Sequence, residues 1–176
     1  MQRQQAPFEH KDLRHTLGTF VTGVTVITTR NRMGKAHGLT ANSFNTVSLE
    51  PPLILWSLSK RSGSYPVFEC AEEFAISILA EEQTEVSKHF ASPSNDKFEG
   101  VAVNEDFCGL PVIEDSCAWL HCRSVSRFDG GDHTIFIGEI LQLARGDRRP
   151  LAFGGGRYLL VRSHDEAWAS TDQPPP

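Results

Sequence analysis

No apolar run in this 176-residue sequence is longer than four residues, as at Leu53-Ile54-Leu55-Trp56, so it offers no stretch of the roughly 20 apolar residues that a membrane-spanning helix needs. The segment from Met1 to Lys11 lacks the apolar core of a secretory signal, and a soluble, cytoplasmic protein is expected. Cysteine is scarce. Cys70, Cys108, Cys117 and Cys122 form no C-x-x-C pair and have no histidines at zinc spacing, which predicts free, buried thiols with no disulfide framework and no metal centre. Positive charge is in deficit, with 17 lysines and arginines against 22 aspartates and glutamates and a formal net charge of −5. That is the wrong sign for a protein whose partner is a nucleic-acid backbone. G-x-S-x-G, H-E-x-x-H and a P-loop lysine are missing too, and Gly154-Gly155-Gly156 fails the G-x-G-x-x-G spacing. Hydrolase, zinc protease, NTPase and Rossmann dehydrogenase chemistry all lose support.

What is present is ordinary globular material, 39% hydrophobic and 22% charged. At roughly 150 residues per domain the chain is one domain, able to bury about 70% of its unfolded surface. Leu13, Leu17, Phe20 and Val21 lie at i, i+4, i+7 and i+8 and predict an amphipathic helix from His10 to Phe20. Val24 to Thr29 is β-branched throughout and reads as a strand, joined through Asn31 to Gly34 to a second strand at Leu39 to Phe44. Pro51 and Pro52 cannot donate to a ladder, so Leu53 to Ser57 begins a new strand. Ser62-Gly63-Ser64 before Pro66 predicts a short hydroxyl-capped helix; Phe74 to Leu79 is a strand and Thr84 to Phe90 a second short helix before the polar loop Ser92 to Asp96.

Further along, Ala118, Leu120 and Cys122 alternate with Trp119, His121 and Arg123, and Ile135, Ile137, Leu141 and Leu143 alternate after Asp129-Gly130-Gly131-Asp132, which predicts a long antiparallel hairpin. Pro150 to Gly156 reads as a loop, Tyr158 to Val161 as a last strand, and Asp165 to Pro176 as a disordered tail. About seven strands in adjacent pairs, without strand-helix-strand alternation, indicate a mainly antiparallel β fold with peripheral helices, a small closed or split barrel. The domain is expected over residues 10–162, with a flexible 1–9 and a disordered 163–176.

One region is dense in small hydroxyl and amide side chains: Thr40, Asn42 and Ser43, then Ser57, Ser59, Ser62 and Ser64 with Lys60 and Arg61 among them. Hydroxyls, backbone N–H groups and a helix N-terminus all supply oriented donors, so a phosphate fits there; a solvated loop with a helix cap has the same composition. His133 closes the hairpin turn, where an imidazole projects toward any adjacent cleft or serves the turn itself.

Gly23 to Thr29, Gly38-Leu39-Thr40-Ala41-Asn42-Ser43-Phe44 with Val47 to Leu53, and Gly131-Asp132-His133-Thr134-Ile135-Phe136-Ile137-Gly138-Glu139 together resemble the flavin reductase family of FMN-binding split barrels. Pro150 to Phe153 followed by Gly156-Arg157-Tyr158 resembles the closing segment of that family, so the likeness runs from about Asp12 to Val161. The resemblance implies a homodimer with FMN or FAD in a cleft near the subunit interface, reduced by NADH or NADPH and delivered to a separate monooxygenase. It also implies residue roles. Thr40, Ala41, Asn42 and Ser43 match the segment lining the isoalloxazine and ribityl chain, Ser57, Leu58, Ser59 and Ser62 the segment reaching ribityl and phosphate, and Phe90-Ala91 with Lys97-Phe98 the far wall. Tyr158 falls in the closing segment, and His133 matches the histidine beside the nicotinamide. Hydride transfer from nicotinamide to flavin needs no catalytic nucleophile, in keeping with the missing motifs. A departure is Gly154-Gly155, where relatives carry bulky or basic side chains before the closing glycine. A flavin-binding electron carrier or sensor without turnover is the alternative on the same fold.

Overall fold

The structure, a computed structural model, describes residues 7–94 and 96–164. The expected tail at 165–176 and most of the flexible 1–9 lie outside the described residues. The first helix, α1 (His10–Leu17), is three residues shorter than its periodicity suggested: Gly18 still donates to the Arg14 carbonyl in helical register, but Thr19 and Phe20 turn to the carbonyls of Thr16 and Leu17, three residues back. None of its residues is buried, and although Leu13 is half-covered, Leu17, Phe20 and Val21 stay exposed among the described residues.

After the two-residue β1 (Thr22–Gly23), β2 (Thr25–Arg30) and β3 (Ala36–Ala41) form the expected hairpin. The Asn31 side-chain oxygen accepts the N–H groups of Met33 and Lys35, and Gly34 takes the positive φ that the turn requires. The second strand begins and ends three residues earlier than expected, leaving Asn42, Ser43 and Phe44 in a connection. An unexpected strand, β4 (Asn45–Leu49), follows; it is exposed at four of five positions and so carries no alternating pattern. The prolines then break the chain as expected, and β5 (Pro52–Ser59) begins.

The helix α2 (Tyr65–Cys70) has Pro66 in its first turn, but the predicted hydroxyl cap is absent: Ser64 stands at the N-cap and its side chain makes no capping bond. Next come β6 (Glu73–Ile78), α3 (Thr84–Ala91) and the small pair β7 (Val103–Asn104) and β8 (Val112–Ile113). The long hairpin is β9 (Ala118–Gly130) with β10 (His133–Arg145). The predicted loop at 150–156 instead contains β11 (Leu151–Gly154), hairpinned to β12 (Arg157–Leu160) through Gly155 and Gly156, both at positive φ. Its apolar triplet is too short to show a period.

A seven-stranded sheet runs β3-β2-β6-β9-β10-β5-β4, every pair antiparallel, and β1-β11-β12 make a second sheet. The strand β2 is buried on both faces, which explains its unbroken β-branched composition. Ile27 joins a core in which the Trp56 indole stacks on Phe136 at 4.5 Å and meets Phe68 and Phe74 edge-on. Its neighbour Val26 points the other way, to Leu79, Phe90, Ile113 and Leu151. Gly138 is required within β10, because a Cβ there would lie 2.5 Å from the Phe74 ring. The two ends of the large sheet are drawn together by Ser43, whose hydroxyl donates to the Ser57 carbonyl and accepts the Ser57 N–H, each at 3.0 Å.

All four cysteines are free, as expected, but only Cys122 is buried; its thiol is pushed up to about 12 by burial. Cys108 and Cys117 are half-buried, and Cys70 is exposed at the end of α2.

Candidate functional site

The segments singled out in the sequence meet at one end of the large sheet. Ser59 pairs with His133 across β5 and β10, and the chain then passes through Ser62 to Ser64 into α2. Facing this turn is a cavity of about 550 Å³ that takes Ala36, His37 and Gly38 from β3, Lys35 just before it, Ser62 to Ser64, and Ala91 to Ser94 with Lys97 from the end of α3 and its loop. Of the residues matched to a cofactor site, Ser62, Ala91 and Lys97 line it.

The cavity gathers three basic side chains, Lys35, His37 and Lys97. Lys97 is half-buried, its ammonium donates to the Phe90 carbonyl at 2.8 Å, and burial lowers its pKa from the ordinary lysine value. His37 across the cavity is lowered as well, first by burial and then by the charge of Lys35. Its Nε2 lies 3.4 Å from the Asn31 amide nitrogen, a contact in which a neutral imidazole accepts. A phosphate would relieve both the desolvated ammonium and the Lys35–His37 repulsion, so the donor set fits the phosphate end of a flavin nucleotide.

The predicted basic pair does not serve this cavity. Lys60 is held at the hairpin tip, its Nζ donating to the Asp129 carboxylate at 2.9 Å and to the Gly131 carbonyl at 2.8 Å, while Arg61 turns toward α1. The basic side chains present are Lys35, His37 and Lys97; of these only Lys97 was anticipated, since no spacing announces that the start of β3 will face residue 62. The Ser62 hydroxyl accepts from the Ser64 N–H at 3.3 Å, a long bond that leaves its own proton free for a ligand.

The other matched residues frame this end of the sheet. Thr40 donates to the Ser87 carbonyl at 2.6 Å, and the Ser87 hydroxyl meets the Tyr158 hydroxyl at 2.9 Å, so β3, α3 and β12 are tied through one serine. Asn42 is exposed, Ala41 and Leu58 are buried, and Ser43 and Ser57 make the closure already described. Phe90, matched to a cofactor wall, is fully buried beneath Gly38 and packs edge-on against Phe98 at 5.3 Å; its backbone carbonyl, rather than its ring, reaches the cavity side through Lys97.

His133, opposite Ser59 at the start of β10, has its side chain 44% exposed, and its Nδ1 lies 2.7 Å from the Asp132 carboxylate. In the neutral ring this places the proton on Nδ1 and leaves Nε2 as an acceptor. Asp132 is in turn held below the ordinary carboxylate range, chiefly by this hydrogen bond.

The geometry agrees with the comparisons. The sequence profile described as "Flavin reductase like domain" matches residues 17–161. An FMN reductase (NADH) of Agrobacterium fabrum is 41% identical over 150 residues, covering 84% of this chain and 84% of that one. The reductase component of a flavin-dependent trigonelline monooxygenase of Acinetobacter baylyi is 40% identical over 90% of this chain. The chain spans about half the length of that relative, 51%, and 50% of a probable flavin reductase of Rhizobium meliloti. Among solved structures, an NADH:FAD oxidoreductase of Streptomyces globisporus, in complex with NAD and FAD fragments, superposes with a TM-score of 0.85 at 35% identity over 92% of this chain and 98% of that one. A split-barrel scaffold, a phosphate-fitting cavity at its hydroxyl-rich end and a match over residues 17–161 lead to one assignment: the chain belongs to the flavin reductase family.

Proposed function

We propose that this protein is an NAD(P)H-dependent flavin reductase that reduces FMN or FAD and releases it to a separate monooxygenase. The single observation that carries the reading is the cavity between β3 and the 62–64 turn, with a half-buried lysine and free hydroxyl donors, at the sheet end where β5 leads into that turn. Flavin bound there supplies the electron-accepting ring. The chain's residues do the rest: Ser62, Lys97 and His37 hold the phosphate, Thr40 to Ser43 and Ser57 to Ser59 line the path along the sheet end, and His133 positions the nicotinamide with Nε2. The relatives that are reductase components of monooxygenases support the delivery step.

A homodimer accounts for the apolar residues left uncovered, Leu17, Phe20 and Val21 at the end of α1 and Phe128, Leu141 and Leu143 on the long hairpin. Free thiols and a need for reduced nicotinamide suit the cytoplasm, and among the described residues no helix is long and apolar enough to cross a membrane.

The test is steady oxidation of NADH and NADPH with excess free FMN and with excess free FAD, on material sized by light scattering. Many turnovers per dimer are expected. Flavin binding without sustained turnover would instead make the protein an electron carrier or sensor.

The His37 environment adds a pH dependence. Its pKa in the ligand-free site lies below the ordinary 6.5, and phosphate favours the protonated ring, so phosphate binding draws a proton onto the site. The preference for FMN over riboflavin should therefore grow as the pH falls through the raised value of the phosphate-bound imidazole, and level off once the pH is below the lowered value of the ligand-free ring. His37→Gln should abolish that slope, as read by fluorescence titration of the two flavins across the range.

A further inference from the structure

A second cavity, of about 520 Å³, lies between α1 and the tip of the long hairpin, lined by His10, Lys11 and Arg14 from the helix, Arg61 from the turn after β5, and Asp132. On a chain with net charge −5, three permanent cations and an imidazole facing one cavity are a local reversal of sign. The cations are also uncommitted. Elsewhere Arg30, Lys60, Lys88, Arg123, Arg148 and Arg162 are each held in an ion pair, whereas among the described residues the side chains of Lys11, Arg14 and Arg61 make no hydrogen bond or close ion pair. The one acid, Asp132, is bonded to His133 and faces Arg61, so its charge is engaged. The helix contributes no residue to the core, so its basic face is not a by-product of packing.

Asp132 joins this cavity directly to the histidine that positions the nicotinamide. We propose that the cavity holds the phosphates of the pyridine dinucleotide, with Arg14 and Arg61 as their principal partners. The inference rests on the reductase reading, and it explains how a chain without a dinucleotide fingerprint selects a dinucleotide donor: the phosphates are held by side-chain cations and not by a glycine-rich turn. Arginine suits the task because its planar fork meets a phosphate in two parallel hydrogen bonds.

The double substitution R14Q/R61Q should raise the KM for NADH about 100-fold, the loss of two charge-assisted contacts at about tenfold each, with a weaker dependence of KM on salt. The KM for reduced nicotinamide riboside, which carries no phosphate, should not move, and neither should the affinities for FMN and FAD. Calorimetric binding of ADP-ribose should weaken in parallel, and R14K/R61K should restore part of it. An unchanged KM for NADH, an equal rise for both donors, or a loss confined to FAD would overturn the proposal, the last by giving the cavity to the adenosine arm of the flavin. If the wild type oxidises neither donor the reductase reading fails separately, and the ADP-ribose titration still decides the cavity: binding that R14Q/R61Q loses sustains it, and no binding to the wild type overturns it.

Discussion

Ser62→Ala should weaken FMN binding by roughly 10- to 150-fold while leaving riboflavin nearly unaffected, the loss of one hydrogen bond to a charged group of about 1.5–3 kcal/mol. The hydroxyl lines the cavity opposite Lys97 and is committed only as the acceptor of a long 3.3 Å bond from Ser64, so its removal costs the fold little. The comparison with riboflavin separates ligand contact from loop support, since a collapsed turn would harm both flavins alike. Fluorescence titration of both ligands with both proteins provides the measurement. Equal losses would move the anion partners to Lys35, His37 and Lys97 alone.

His133→Ala should lower kcat/KM for NADH by about 10²-fold, the scale expected when a positioned reactant loses its alignment. FMN affinity should hold, because the ring does not line the phosphate cavity and its Nδ1 is engaged by Asp132. Asp132→Asn is the companion variant. It keeps the histidine but weakens the bond that orients it, so a smaller fall in kcat/KM with a changed pH profile is expected. Stopped-flow reduction of bound flavin by NADH measures both, and a rate unchanged in His133→Ala would remove the histidine from the reaction.

The scaffold was largely legible because its strands are long and strongly patterned. The two-faced burial of Thr25–Arg30 shows as an unbroken β-branched run, and the β9–β10 hairpin shows as alternation on both sides of Asp129-Gly130-Gly131-Asp132. What escaped was short or exposed: Asn45–Leu49 has no buried face to impose a period, and Leu151–Gly154 has too few residues to display one. At the site, Ser62 and Lys97 could be found from local chemistry and family likeness. Lys35 and His37 could not, since their approach to Ser62 depends on how the sheet closes through Ser43 and Ser57, contacts 14 residues apart in sequence. Lys60 misled for a related reason. Its neighbour in sequence is the phosphate turn, but its partner in space is Asp129, 69 residues on.

The two-faced burial of β2 has a dynamic consequence. Amide groups held between β3 and β6 and packed on both sides can exchange with solvent only through an opening that costs close to the whole stability of the fold. The strand β2 backs β3, which supplies one wall of the cavity; the flank from Ala91 to Ser94 is exposed at the end of α3 and just past it, and its openings cost far less. The β3 wall is therefore backed by a fixed strand, while the flank at Ala91 to Ser94 yields locally. A cofactor that must arrive oxidised and depart reduced on every cycle can pass by that flank while the barrel behind it stays closed.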